Sequence, residues 1–158
     1  MPHRPEPPGQ AWRLEPVAEA DFEPLLALRI EVMREHLERV FRYHPDRARR
    51  VFRGHFDEPG MQRIMIGDER VGCIGVRVGR DGITIDSFYL DRRRHNSGLG
   101  TAILAALLAD ADAQGLPVEL DVLQGSPAGR FYERHGFVKQ REDEIEANYR
   151  RPVTRAST

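Results

Sequence analysis

The segment HNSGLG, residues 95–100, has the composition of a loop that binds a ligand through its backbone. Gly98 and Gly100 carry no side chain, so a ligand can approach the main chain closely there. The alanine- and leucine-rich stretch that follows predicts a helix, whose first N–H groups and positive dipole end would face the loop. Such a loop favours anions, above all phosphate, and the run from Arg92 to Arg94 adds positive charge just upstream.

Two well-known phosphate-binding loops do not fit this segment. A P-loop needs a lysine directly after its last glycine, and Thr101 follows Gly100 instead. A dinucleotide-binding loop needs a third glycine three residues after the second, where Ile103 stands. The alternative to phosphate binding is a glycine turn that only begins a helix.

The composition of the whole chain argues against several other classes of function. Its 158 residues suit one domain with a hydrophobic core, and a formal net charge of -1 argues against general nucleic-acid binding. A single cysteine, Cys73, excludes an internal disulfide framework and is interpreted as a core residue. No apolar run is long enough to span a membrane, and the first ten residues lack the apolar core of a secretory signal. We therefore expect a cytoplasmic protein that binds no metal, membrane or nucleic acid.

Hydrophobic periodicity predicts the elements that position the loop. Apolar residues at helical spacing follow Asp21, which is an N-cap residue by type, and a second, shorter helix is expected near 46–56. Three apolar runs separated by glycine turns then predict an antiparallel meander. The predicted order is β-α-α-β-β-β-α-β-α-β-β, an α/β fold with a mixed sheet and helices on its faces. Residues 83–90 and 118–123 flank the helix of the loop, so they are expected to form parallel neighbouring strands.

The chain has neither an internal repeat nor a linker that would divide it. Its proline-rich residues 1–10 are predicted to be a disordered lead, residues 11–152 a single domain, and residues 153–158 a flexible tail. The domain therefore contains the loop, both flanking strands and the downstream segment SPAGRFYERHGF, residues 126–137.

Two segments together resemble a known family. YLDRRRHNSGLGTAILAALLADA resembles the acetyl-CoA-binding segment of the GCN5-related N-acetyltransferases (GNAT), which carries Gln/Arg-x-x-Gly-x-Gly/Ala between its fourth strand and third helix. ELDVLQGSPAGRFYERHGFV is similar to that family's fifth strand and following helix, where Asn-x-x-Ala-x-x-x-Tyr-x-x-x-Gly-Phe is common. Both segments occur in the family's order and spacing. His95 stands where glutamine or arginine is expected, and Ser126 stands where asparagine is expected.

The resemblance implies a GNAT-like fold whose central strands splay apart and bind acetyl-CoA between them. Phe88 and Leu90 would pair through their main chain with the pantetheine arm, which lies like an extra strand in the gap. Ser126 would lie beside this arm. Arg130 and Arg134 would meet the nucleotide end, unless both belong to a solvated helix surface. The implied pyrophosphate contacts come from the loop and the helix start: His95, Asn96, Ser97, Gly98, Leu99, Gly100 and Thr101.

In this family an amine attacks the thioester carbonyl directly, so the amine must lose a proton and the departing thiolate must gain one or be stabilised. Tyr132 matches the family tyrosine that points at the cofactor sulfur, which makes it the predicted proton donor; the alternative is a core tyrosine. Asp86 is the predicted base, acting through a water, because it shares strand parity with Phe88 and Leu90. A strand bulge would reverse that parity, and a carboxylate that fixes a neighbouring element is the alternative. His36 on the first helix is a second candidate base.

The first two helices and the final hairpin wall the acceptor side of the cleft in this family. Arg29, Met33, Arg34, His36 and Tyr149 are the predicted contributors to substrate binding. Arginines at these positions would suit a substrate that carries a carboxylate. Surface charge and core packing are the alternatives for each of them.

The leading hypothesis is an N-acetyltransferase that moves the acetyl group of acetyl-CoA to the amine of a small molecule or amino-acid-like substrate. One alternative is a non-catalytic acyl-CoA-binding regulatory module. Another is an acetyltransferase of protein N-termini or lysines. The final strands of such folds often pair between subunits, which would make a homodimer.

Overall fold

The computed structural model of the protein describes residues 11–40 and 44–154. The expectations for residues 1–10, and for all but the first two residues of the 153–158 tail, lie outside these ranges. The observed elements follow the predicted order, which is thereby confirmed. They are β1 (Trp12–Pro16), α1 (Phe22–Val40), α2 (Pro45–Phe56), β2 (Met61–Ile66), β3 (Glu69–Val78), β4 (Ile83–Leu90), α3 (Leu99–Gln114), β5 (Val118–Leu123), α4 (Ala128–Glu133), β6 (Val138–Glu142) and β7 (Glu146–Arg151).

The seven strands form one mixed sheet in the order β1-β2-β3-β4-β5-β7-β6. Every neighbouring pair is antiparallel except β4 and β5, which are parallel as the sequence predicts. Parallel neighbours need a long crossover, and α3 provides it. This connection places the loop 95–100 at the carboxyl end of β4.

β4 and β5 separate soon after they meet. Two residue pairs join them, Ile83 with Val118 and Thr84 with Glu119. β4 then continues to its last residue without a partner on that side, as does β5. A wedge therefore opens in the middle of the sheet, and no strand of the described chain fills it.

A bulge in β4 decides which side chains face each side of the sheet. The register of β3 with β4 skips Ser87 and Phe88, so two residues of β4 stand against one residue of β3. Ser87 has a φ of 52°, in the left-handed region, as a distorted strand requires. Ile85 and Phe88 both pack in the core on the α3 face, whereas Asp86 and Tyr89 turn toward α1 and α2. The predicted parity shared by Asp86 and Phe88 is therefore wrong.

Two hydrophobic cores cover the two faces of the sheet. The larger lies under α3 and α4, where Leu99 and Ile103 are fully buried. The smaller holds α1 and α2 on the other face, where the rings of Phe22, Phe52 and Phe56 pack with centroids 5.2 to 6.0 Å apart. Burying a side chain of this size contributes roughly 1.5–3 kcal/mol, so both helix layers are fixed around the wedge.

Candidate active site in the sheet wedge

The wedge between β4 and β5 opens into a cleft of about 1280 Å³. This volume exceeds the ~300–1,000 Å³ of an ordinary small-molecule pocket, so the cleft has room for two ligands. It passes through the sheet, and both faces provide walls. The α3 side consists of the loop 95–101, α4 and the side chains of β4 that face them. The α1 side consists of α1, α2 and the side chains of β4, β5 and β7 that face those helices.

The loop before α3 has the backbone of an anion-binding site. Asn96 and Gly98 have left-handed φ angles of 61° and 86°, and Ala102 N–H donates to Gly98 O at 2.9 Å. The N–H groups of Gly100 and Thr101 come before that bond and have no helical carbonyl to bind. Both residues line the cleft on the α3 side. Their N–H groups and the helix dipole are therefore available to an anion.

Two of the predicted loop residues shape the loop through their side chains. Leu99 is fully buried in the core beneath α3. Ser97 Oγ donates to the carbonyl of Arg94 and accepts from Leu99 N–H at 3.3 Å. Neither residue is among the described lining of the cleft, so their side chains support the loop, and the pyrophosphate contact predicted for both residues stays a prediction.

His95 closes the loop against the end of β4. The ring is exposed, and its Nε2 lies 2.8 Å from the carbonyl oxygen of Leu90. A carbonyl only accepts hydrogen bonds, so Nε2 carries the proton and donates. Nδ1 is then the ring atom that can meet a ligand in the cleft.

The arginines before the loop are tied to carboxylates. Arg93 and Arg94 both bind Glu69 of β3, and Arg92 lies 3.6 Å from Glu31 of α1. Arg94 first, and then Arg93, lower the pKa of Glu69. The run therefore braces the loop on the sheet. Arg94 also lines the cleft, and its Nε is buried without a hydrogen-bond partner among the described residues.

α4 completes the α3 side. Ser126 Oγ accepts from Ala128 N–H at 3.1 Å and so orders the chain directly before the helix, whose N-cap is Pro127. Arg134 lines the cleft, while Arg130 is exposed and is not among the described lining residues. Phe131 and Arg134 are three residues apart and share the face that meets the cleft. Of the two arginines predicted at the nucleotide end, Arg134 is therefore the one that the structure places at the cleft, and the contact of either with a nucleotide stays a prediction.

Tyr132 reaches the cleft from the core. It is 8% exposed, and its ring packs edge-on against Phe131 and Phe137, with centroids 5.2 and 5.4 Å apart. Burial, with a smaller contribution from Tyr89, raises the pKa of the Tyr132 hydroxyl above its ordinary value. The phenol is therefore protonated throughout the neutral range, which is the state that a proton donor requires.

Asp86 lies on the α1 side, directly before the bulge. One of its carboxylate oxygens is ion-paired with Arg77, and the other, Oδ1, is buried with no hydrogen-bond partner among the described residues. Gly75 of β3 makes room for it, because a Cβ at that position would lie 2.3 Å from Oδ1. Asp86 lines the cleft, so a ligand there can supply the missing donor.

Two further carboxylates on the α1 side are missing from the sequence predictions. Asp121 of β5 and Glu146 of β7 line the cleft. Burial, followed by the charges of Asp121 and Asp143, raises the pKa of Glu146. Strand alternation in ELDVL indicates the position of Asp121. Leu120 and Val122 on either side of it face the α3 core, so Asp121 faces the opposite side of the sheet.

Helices α1 and α2 form the remaining wall of the α1 side. Arg29 and Met33 line the cleft, where the sequence places them. The side chain of His36 lies outside the described residues, and Arg34 is exposed and pairs with Glu38 at 3.0 Å. The N-cap of α2 and one face of this helix add lining residues that the sequence predictions lack: His44, Arg47, Ala48, Val51 and His55.

Tyr149 belongs to the core, which corrects its predicted contact with substrate. It is 5% exposed on the α3 face, since alternation along β7 turns Ala147 and Tyr149 away from Glu146 and the α1 side. Its hydroxyl packs against Gly129 of α4, where a Cβ would lie 2.7 Å from Oη. Tyr149 therefore holds α4, and with it Tyr132, against the sheet.

The sequence of residues 30–154 matches the family described as acetyltransferase (GNAT) domain. The chain belongs to this family. No curated protein matches the chain at a significant level.

Solved structures share this GNAT fold. An acetyltransferase from Thermus thermophilus has 20% identity and a TM-score of 0.69, over 90% of this chain and 97% of that chain. The PaiA N-acetyltransferase from Thermoplasma acidophilum, in complex with coenzyme A, has 13% identity and a TM-score of 0.70, over 90% and 99%. The ribosomal-protein-S18-alanine N-acetyltransferase from Escherichia coli has 16% identity and a TM-score of 0.62, over 92% and 96%. At these identities the likeness establishes the fold.

Family and fold are thus those that the two sequence motifs predict. GNAT membership supports an acyl-CoA-dependent acetyltransferase that uses acetyl-CoA and an acceptor. In residues 11–40 and 44–154, no helix is long and apolar enough to cross a membrane. The same residues contain no cluster of three or more His, Cys, Asp or Glu side chains that could hold a metal ion.

Proposed function

We propose that this GNAT protein is an N-acetyltransferase that moves the acetyl group of acetyl-CoA to the amine of a small molecule by direct attack. One observation carries the proposal: Tyr132 and Asp86 line the same cleft from opposite faces of the sheet. Tyr132 holds a proton to give, and Asp86 has an oxygen free to accept one. Direct transfer moves two protons. Asp86 would accept the proton that the amine loses, and Tyr132 would donate a proton to the departing thiolate.

The α3 side suits acetyl-CoA. Between Phe88 and Leu90, the edge of β4 that faces β5 pairs with no strand of the described chain, so its main-chain groups would receive an extended pantetheine arm. The N–H groups of Gly100 and Thr101 would bind the pyrophosphate at the helix start. Ser126, at the start of α4, would lie beside the arm.

Bound acetyl-CoA supplies a thioester carbonyl that an amine can attack. Asp86 Oδ1 would take the proton that the amine loses, directly or through a water. The bulge at Ser87 and Phe88, which has no pairing partner on β3, would offer a main-chain N–H to the carbonyl oxygen as charge develops there. Tyr132 would give its proton to the departing sulfur, so that free CoA leaves as a thiol.

Calorimetry with acetyl-CoA tests the first part of the proposal. We expect saturable binding, because the loop and the strand rim require no rearrangement of secondary structure. Absence of binding at millimolar acetyl-CoA would contradict the assignment of the α3 side.

Release of CoA thiol with a panel of amines and amino acids tests transfer. We expect release with at least one class of small amine. Acetyl-CoA binding without release from any acceptor would instead support a regulatory module, and release with peptides alone would support a protein acetyltransferase.

The base can be assigned with two variants and the best acceptor. Asp86→Asn should lower kcat about 100-fold, within the range of general-base catalysis, whereas Glu146→Gln should change it little. The reverse result would assign the base to Glu146, whose raised pKa also suits a proton acceptor. Each variant should bind acetyl-CoA as the wild type does, since both carboxylates lie on the α1 side.

A further inference from the structure

Among the residues that the structure describes, no acidic side chain neutralises Arg29, a buried cation on the α1 side. It is 8% exposed, and within the described part of the chain no carboxylate lies within 4.0 Å of its guanidinium. Its Nε–H donates to Tyr89 Oη at 3.3 Å. The guanidinium carbon also lies 5.8 Å from the centre of the Phe52 ring. Both contacts fix the orientation of the guanidinium, and neither brings a negative charge.

A buried charge without a counterion is strongly unfavourable. The other arginines that shape this region show the usual solution, since Arg77 is paired with Asp86 and Arg94 with Glu69. Arg29 lines the cleft, so a ligand bound there can supply its counterion. A planar guanidinium matches a carboxylate with two parallel hydrogen bonds, which makes a carboxylate the best fit.

We infer that the acceptor is an amino carboxylate, whose carboxylate is bound by Arg29 while its amine is acetylated. The inference rests on the proposed N-acetyltransferase function. Asp86 Oδ1 also belongs to the lining of the cleft, where it is buried without a hydrogen-bond partner among the described residues, and it accepts hydrogen bonds. An amino carboxylate satisfies both groups. A polyamine would satisfy only Asp86 and would bring further positive charge beside Arg29.

The rest of the helical wall indicates the kind of side chain that the acceptor carries. Val32 and Met33 of α1 line the cleft together with Ala48 and Val51 of α2. Apolar side chains there favour an aliphatic or aromatic group on the acceptor. The α1 side therefore fits an amino acid with an apolar side chain.

The wild-type protein tests this inference with matched acceptors. Each apolar amino acid is compared with its carboxamide and with the amine that lacks the carboxylate, by CoA thiol release with acetyl-CoA. We expect kcat/KM for the acid to exceed that of the amide and the amine by about 50-fold, the size of a charge-assisted pair. Equal turnover of amides and amines would overturn the carboxylate inference and leave the transferase function intact. Release from no acceptor at all would overturn both.

Two variants of Arg29 test whether this residue causes the preference for a carboxylate on the acceptor. Arg29→Gln should lower kcat/KM for the acid about 50-fold, mainly through KM, and should leave the amide unchanged. Arg29→Lys should give an intermediate loss, because it keeps the charge but not the paired hydrogen bonds. Arg34→Gln is the matched control, since Arg34 lies on the same helix and is exposed. Acetyl-CoA affinity reports that each variant is folded. An equal loss for acid and amide would mean that Arg29 only supports Tyr89, and would overturn the inference.

Discussion

The two sides of the cleft are built in different ways. The α3 side presents main-chain groups, at the loop before α3 and along the open rim of β4. The side chains of its loop residues mostly brace the loop, as Ser97 and His95 do. The α1 side presents charged side chains from elements far apart in the sequence, among them Arg29, Asp86 and Glu146.

Because the two sides are built differently, they differ in how strongly their ligand recognition depends on side chains. A main-chain site depends on backbone angles and accepts different side chains, so His95 and Ser126 can depart from the family pattern while the backbone of the loop keeps its conformation. A side-chain site changes with every substitution, so it can select an acceptor. We therefore expect substitutions on one side to affect one ligand and spare the other.

Tyr132→Phe should give the largest effect. Removal of the proton donor should lower kcat about 100-fold or more, with acetyl-CoA affinity unchanged, because the ring and its packing remain. Since burial raises the pKa of this hydroxyl, wild-type activity should not fall through loss of its proton below the ordinary tyrosine value near pH 10. Thiol-release rates across pH measure both effects. An unchanged kcat would remove Tyr132 from the mechanism.

Gly129→Ala should follow, through stability rather than chemistry. The new Cβ would meet Tyr149 Oη, and overpacking of this kind costs about 1–3 kcal/mol of unfolding free energy. In the Tyr149→Phe background the same substitution should cost clearly less, because the blocking oxygen is gone. Chemical denaturation of the four proteins of this cycle provides the measurement. Additive losses would mean that the two residues do not meet.

Gly98→Ala should weaken acetyl-CoA binding about tenfold. A left-handed φ costs a residue with a Cβ about 1–2 kcal/mol, so the loop is expected to relax away from its anion-binding shape. Gly67→Ala is the matched control, since Gly67 also has a positive φ and open space around it, in the turn between β2 and β3. The control should lose stability and keep its affinity. Equal affinity losses in both variants would point to general destabilisation.

His95→Gln should have the smallest effect, with acetyl-CoA affinity kept or slightly improved. Glutamine can donate to the Leu90 carbonyl as the histidine does, and the N–H groups of the loop do not change. His95→Ala, which removes the bond, should weaken binding about fivefold, in line with about 1 kcal/mol for a hydrogen bond. Calorimetry compares the two. A clear loss with glutamine would mean that the imidazole itself binds the ligand.

The sequence locates the loop of the α3 side because this loop depends on local backbone conformation. Its groups lie in one contiguous segment, and glycine at positions 98 and 100 indicates the required conformation directly. The parallel pairing of β4 and β5 follows from the helix between them. The alternation of apolar residues and the spacing of glycine turns likewise sufficed for the order of all eleven elements.

The α1 side escapes such prediction because its geometry depends on contacts across the chain. The bulge at Ser87 has no glycine to mark it, yet it turns Asp86 to the face opposite Phe88. Tyr149 and Glu146 lie three residues apart on β7, and only the sheet register shows that one is core and the other cleft. Arg29 could be placed on α1, but the absence of a carboxylate near it, among the residues that the structure describes, is a property of the folded chain.

The short contact between β4 and β5 has a mechanical consequence. The sheet consists of two parts, one of four strands and one of three, and two residue pairs between β4 and β5 join them at one end. Within the sheet, only these two pairs resist thermal motion that moves the two parts of the described sheet apart. An extended ligand bound between the two parts of the sheet would hold them together along the rest of their length. It would thereby stabilise the protein as well as react. Binding and release of such a ligand would then change how firmly the two parts of the sheet are held together.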